Sequence, residues 1–479
     1  MNLIKKITKN ISVLLISQML TYVLGFFTLM YTARYLGVNN YGIFSFAMAF
    51  TGIFAVFMDL GLNTLTIREV ARQKSLANTY IANITLIRIL LSFITFLLIM
   101  IIAYILGYDQ QTIQILSYFT FYTIFTSFSQ LFYAVFQANE KMEFQSLGNI
   151  LSSILVFIGV LMAITYGFNI YQFSLIYVIV SIIILINAII MFSWYFKLPK
   201  LKFERNTCKS LIKEAWPFAV TGVSVNIYLW IDTIILSLIQ GQEAVGLYNA
   251  AYRLIMTLLF IPVVFNNALF PLMSRYFISS KESLKFMFDK LLKIMILIGL
   301  PIGTGTVLIA NKLIMLVYGS QFIGAVIALQ ILIWSTFLIF ARSPFERLLE
   351  SSNKQLSVTK IFILGALFNS ILNIIFIPYF TYIGAAVITV LTDILVFGLL
   401  TISVKSVGVL ISKNTKISLL KIFIASLIMG VVMDQLHFLN LFQMIGVGII
   451  VYLVNLIVMK ILSDDEIAMI KNLFKEGSE

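Results

Sequence analysis

A chain of 479 residues that is 61% hydrophobic and 11% charged carries less than half the charge of an ordinary soluble domain, about 25%, which excludes a fold that covers itself with polar surface in water. Its single cysteine, Cys208, excludes an intramolecular disulfide and a cysteine-based metal centre, and its single histidine, His437, argues against histidine metal or acid–base chemistry. The net charge of +13 raises nucleic acid as a partner, and the placement of the basic residues argues against it.

Apolar runs of about 20 residues, each able to cross a bilayer core, recur from end to end. They lack the two-residue alternation of barrel strands. In lipid only helices and closed barrels satisfy every backbone group. The sequence therefore predicts an all-α integral membrane protein of about fourteen transmembrane helices: 11–33, 41–62, 79–106, 114–137, 146–166, 171–195, 215–239, 246–270, 288–310, 323–341, 356–377, 382–404, 417–435 and 441–462. The first run is too long for a signal-peptide core, and Arg34 follows it without a small-residue cleavage site, so it reads as a retained helix. No connection is long enough to fold as a domain.

The basic residues alternate in side. Lys5, Lys6 and Lys9 precede span one, and Arg68, Arg72, Lys74 and Lys141 follow spans two and four. The cluster Lys197, Lys200, Lys202, Arg205, Lys209 and Lys213 follows span six. Arg275, Arg342, Arg347, Lys354, Lys405, Lys471 and Lys475 fall on the same side, whereas the other side holds only Arg34 and Lys312. Positive charge stays cytoplasmic, so a multi-pass protein of the inner or plasma membrane is expected, with both termini in the cytoplasm. The lysines and arginines then meet anionic lipid headgroups, not nucleic acid.

The polar stretch after span six divides the chain. Tyr41-Gly42-Ile43-Phe44-Ser45 opens span two, and Val245-Gly246-Leu247-Tyr248-Asn249 opens span eight. Both read apolar or aromatic, glycine, aliphatic, aromatic, small polar, and both follow a polar external turn. This predicts two six-helix bundles, 1–200 and 215–404, joined by a cytoplasmic linker at 201–214. They form a parallel pseudo-twofold repeat, and 405–479 adds two C-terminal helices and a tail.

An ionisable residue inside a membrane helix needs a partner or a purpose. Five qualify: Asp59, Arg88, Asp232, Arg253 and Asp393, with Arg34 at the external end of span one. Asp232 and Arg253 lie about 12 and 10 Å from the external ends of adjacent spans, which permits a salt bridge, or a titrating acid beside an arginine that meets an anion. Arg88 is read as a phosphate contact, since a guanidinium fork binds phosphate oxygens in pairs, or as a partner that secures Asp59. Asp393 is expected in a hydrogen-bond cluster with Asn369 and Asn373. Pro217 is expected in the first turn of span seven, and Pro262 and Pro301 are expected to kink spans eight and nine. No nucleotide loop, metal-ligand spacing or catalytic triad is present. The reading is of a non-enzyme without cofactor or metal.

Ala33-Arg34-Tyr35-Leu36-Gly37 before Tyr41-Gly42, Asp59-Leu60-Gly61-Leu62 and Arg68-Glu69-Val70-Ala71-Arg72 resemble the opening of the polysaccharide-transporter flippases, the Wzx-type O-antigen group. Val245-Gly246-Leu247-Tyr248, Ala250-Ala251-Tyr252-Arg253-Leu254 and Phe270-Pro271 resemble its second half. The resemblance implies the fold of the multidrug and toxin extruders and lipid II flippases, two bundles around a cavity that opens alternately to each side. It implies a polyprenyl-diphosphate-linked oligosaccharide as cargo and a proton gradient, a sodium gradient or the membrane potential as energy source; a coupling ion (proton or sodium) and polysaccharide assembly proteins are the further partners considered. Relatives often place more basic residues in the cavity than this chain does. The competing readings are a cation-coupled small-molecule antiporter of the same fold and a non-transporting membrane scaffold.

Overall fold

The computed structural model describes residues 2–196 and 204–461. Lys197, Lys200, Lys202, Lys471 and Lys475 of the topology argument lie outside the described residues, as do the side chains of Lys5, Lys6, Lys9 and Arg205. Among the described residues there is no strand. The helices are α1 (Asn2–Asp59), α2 (Leu62–Arg72), α3 (Ala77–Ile105), α4 (Gln110–Ala138), α5 (Met142–Thr165), α6 (Ile170–Tyr195) and α7 (Arg205–Gln240). They continue with α8 (Gln242–Leu258), α9 (Phe260–Ser279), α10 (Lys281–Val317), α11 (Ala325–Ser351), α12 (Gln355–Val404), α13 (Lys413–Gln435) and α14 (Leu441–Val458).

By length and apolarity, eleven stretches of the described residues can each cross a membrane, fewer than the expected fourteen. Two of the eleven are long helices with an internal break. α1 turns at Gly37, where φ is 74°, and α12 at Thr381, where φ is 52° and Pro378 lies three residues before. α4, 29 residues long, is rich in Ser, Thr and Gln and is not among the eleven.

Three expectations about helix ends change. α7 begins at Arg205, so most of the predicted linker is helical and Pro217 is interior. Cys208 is buried there, its thiol 3.4 Å from the Asn83 side chain. Pro262 does not kink a continuous span: α8 stops at Leu258, and Pro262 lies in the first turn of α9, where its missing N–H costs least. α11 runs ten residues past the predicted end at 341, to Ser351.

Contacts divide the chain into two compact units. The first comprises 1–260 with 362–388, the second 261–361 with 389–479. In the first, α1 packs most extensively on α8, and α4 on α6. An aromatic core of Phe44, Phe119, Phe173 and Tyr177 fixes α1 against α4 and α6. The α1–α8 crossing is made by the two glycines of the repeated motif. A Cβ on Gly42 would stand 1.8 Å from the Gln242 carbonyl oxygen, and one on Gly246 would stand 2.1 Å from that of Val38. Each glycine lies four residues after the residue whose carbonyl the other meets, so the contact is reciprocal, a local twofold. Small residues let helix backbones approach this closely in lipid.

In the second unit α10 packs on α11 and α13. Leu300, Ile309, Ile422, Met429, Met433 and Tyr452 form its apolar core. Lys312, expected on the external side, gives its ammonium to the carbonyls of His437 and Leu439 in the turn before α14.

Candidate functional site

Asp59 is the last residue of α1. Leu60 and Gly61 then take positive φ, 47° and 78°, and α2 begins at Leu62. Gly61 has no room for a side chain, since a Cβ would lie 2.5 Å from that of Phe218 and 2.7 Å from the Ala215 carbonyl. This break sets the carboxylate over the first turn of α2, where it accepts the Asn63 amide at 3.2 Å. The same Oδ1 accepts Arg88 Nη2 at 2.5 Å.

Of the two readings of Arg88, the structure shows the pairing with Asp59. It is 0% exposed. Its guanidinium is taken up by Asp59, by Asn63 Oδ1 at 3.2 Å and by the Ser127 carbonyl. Burying a guanidinium without partners costs several kcal/mol, and three converging acceptors offset that cost. The group that meets open space is Asp59, 26% exposed. It lines a cavity of about 340 Å3 with Asn63, Thr123, Thr126, Gln130 and Asn226. These hydroxyls and amides suit a hydroxyl-rich ligand, and among the described residues no basic side chain lines the wall.

Asp232 is buried on α7. Its two oxygens accept Tyr248 Oη at 2.7 Å and Asn373 Nδ2 at 2.6 Å, and Asn373 also donates to Asn369 Oδ1 at 2.9 Å. Asn373 thus serves Asp232 directly and ties Asn369 to it. The expected Asp232–Arg253 pairing is replaced. Arg253 lies 4.8 Å over the Trp230 ring, with Nη2 4.0 Å from Met48 Sδ, and no carboxylate pairs with it among the described residues. The reason is angular. Arg253 follows Tyr248 by five residues, about 140° round the helix at 3.6 residues per turn. Tyr248 reaches Asp232 on α7, and Arg253 lies between Trp230 of α7 and Met48 of α1. Arg34 is exposed, three residues before the Gly37 break.

In the second unit Asp393 meets residues that the sequence reading assigned to a loop. Arg342, on the extended part of α11, sets Nη1 3.3 Å from Asp393 Oδ1 and Nε 3.2 Å from Glu346 Oε1. Ser335 Oγ donates to Asp393 Oδ2. Arg342 and Glu346 were missed because an arginine after an apolar run reads as a helix end. The i, i+4 spacing of Arg342 and Glu346, followed by the i, i+3 pair Arg347 and Glu350 at 2.7 Å, was the available sign that the helix goes on. Among the described residues no group of three His, Cys, Asp or Glu side chains could hold a metal ion.

This arrangement of broken helices and buried ion pairs has the fold of a membrane transporter of the lipid II flippase and multidrug extruder type. The solved structure of the lipid II flippase MurJ in an inward closed conformation superimposes with a TM-score of 0.76, over 92% of this chain and 97% of that one, at 19% identity. The chain belongs to the polysaccharide biosynthesis protein family, which matches residues 7–277; the MatE family matches 217–375. A putative O-antigen transporter of Escherichia coli (strain K12) is 24% identical, over 83% of this chain and 96% of its own length. A probable low-salt glycan biosynthesis flippase of Haloferax volcanii is 24% identical over 77% of each.

Proposed function

We propose that the protein moves a polyprenyl-diphosphate-linked oligosaccharide across the cytoplasmic membrane by alternating access, for cell-surface polysaccharide biosynthesis. Relatives named as O-antigen transporter and glycan flippase support the cargo class, and the family match covers more than half of the chain. The observation that carries the reading is Arg253. A guanidinium within the membrane span that meets a ring face and a thioether and pairs with no carboxylate among the described residues is a receptor for an anion, and a diphosphate is the anion this cargo brings. Arg34 extends the anion path toward the external end of α1. Arg88 becomes available to the diphosphate by exchange for Asp59. The hydroxyl and amide wall beside Asp59 takes the sugar. Asp232 is the coupling group for a proton or sodium ion, with Asp59 and Asp393 as further candidates. The two halves 1–200 and 215–404 act as the rocking bundles, with both termini cytoplasmic, and the protein transports without catalysis.

The test is reconstitution in liposomes with a fluorescent short-chain polyprenyl-diphosphate disaccharide, reading the fraction of sugar shielded from an added glycosidase. Wild type exceeds empty liposomes. Arg253→Lys keeps part of the rate, and Arg253→Ala loses most of it, since lysine keeps the charge and loses the fork. Translocation no faster than in empty liposomes overturns the reading. One observation favours a second reading, a cation-coupled antiporter: the ionised group on the cavity wall is a carboxylate, Asp59. Accumulation of a cationic dye, with no transport of the lipid-linked sugar, would decide for it.

A further inference from the structure

The buried ion network of the second unit does not balance. Arg342 is 6% exposed and stands between two carboxyl groups, Asp393 at 1% and Glu346 at 18%. The charged groups that act on Glu346 are Arg342, Glu350, Arg347 and Asp393. Arg347 and Glu350 pair with each other at 2.7 Å and cancel. Around Glu346, among the described residues, that leaves one guanidinium for two acids. Like charges held together in a low-dielectric setting cannot both ionise cheaply, so one of two carboxyls sharing a site keeps its proton.

The geometry says which one. Both oxygens of Asp393 face donors, Arg342 Nη1 on one side and the Ser335 hydroxyl on the other. That is the surrounding of a carboxylate anion. Glu346 Oε1 lies near Arg342 Nε and makes no hydrogen bond there. It has the weaker claim on the guanidinium.

We propose that Arg342, Asp393 and Glu346 form a proton-binding site, with one proton held on Glu346 while Asp393 is the anion paired to Arg342. The site lies on α11 and α12, outside the Asp59 cavity and the Asp232 cluster. It goes beyond the flippase reading and does not rest on it. Loss of the proton leaves two anions on one guanidinium, and the least costly relief is to separate α11 from α12 or to open Glu346 to water. Proton release is thereby tied to a change in how these two helices pack.

The experiment uses the full-length protein in lipid nanodiscs and infrared difference spectroscopy of the protonated carboxyl band near neutral pH. Wild type shows a band that shifts in heavy water. Glu346→Gln removes it. Asp393→Asn removes it too, because the remaining acid then has the guanidinium to itself and ionises. Asp232→Asn leaves it in place. A band that survives both Glu346→Gln and Asp393→Asn, or the absence of any band assignable to this site in wild type, overturns the proposal. Loss of the band on replacing choline chloride by sodium chloride, at constant pH, overturns it in favour of a sodium site. Thermal unfolding provides the check on folding. Glu346→Gln mimics the protonated acid and should leave the midpoint within a degree or two of wild type, whereas Arg342→Gln should lower it strongly. Equal loss in both variants means that Glu346 is an ionised partner, and the proposal fails.

Discussion

Arg88 with Asp59 and Arg342 with Asp393 are the same chemical pair in two settings. The first has one acid for one guanidinium, and its acid lines a cavity. The second has two acids for one guanidinium, and its paired acid is closed off. An ion pair whose carboxylate touches a cavity can exchange partners with a ligand. One sealed in the protein can change state only by gaining or losing a proton, or by moving its helices. The contrast separates a site suited to cargo from one suited to coupling, although each is an arginine beside an aspartate.

The largest expected effect comes from emptying the sealed site. Arg342→Gln leaves buried acids without their cation and should cost about 3–5 kcal/mol. Arg88→Gln should cost less, because Asp59 already reaches the cavity. Thermal unfolding of the purified variants ranks them, and the reverse order would break the comparison. Next come Gly42→Ala and Gly246→Ala. Each puts a methyl where a backbone carbonyl stands, so each should cost about 1–3 kcal/mol or more, read from unfolding midpoints. Wild-type stability in both would mean that the crossing is looser than described. The smallest effects sharpen the contrast between pairs in contact and pairs that are not. Asp59→Asn with Arg88→Gln should couple by about 0.5–3 kcal/mol. Asp232→Asn with Arg253→Gln should add to within about 0.5 kcal/mol, since each has other partners. Strong coupling in that second cycle would restore the expected salt bridge in some other conformation.

The apolar runs made the helical membrane fold legible, because twenty apolar residues in lipid have one common outcome. Adjacency was legible too: Asp232 and Arg253 do lie on helices joined by a short turn at Gly241. Azimuth was not. Which face of α8 meets α7 depends on the α1–α8 contact, and pairwise spacing does not report it. For Arg88 two readings stood open, phosphate contact and partner of Asp59, because the break at Leu60 and Gly61 that sets Asp59 beside it is a tertiary effect. Arg342 was hidden by its own charge. Asp393, 51 residues later in the chain, gives an arginine there a reason to be inside, and no local spacing reports it.

The Gly42–Gly246 crossing has a consequence for how such a chain can vary. A clash between two side chains is commonly repaired by shrinking one after the other has grown. Here each glycine meets a carbonyl of the backbone, which every residue carries, and glycine is already the smallest residue. Neither position can compensate for the other. A methyl added at either has to be relieved by moving a whole helix, so the crossing admits no stepwise path of paired substitutions.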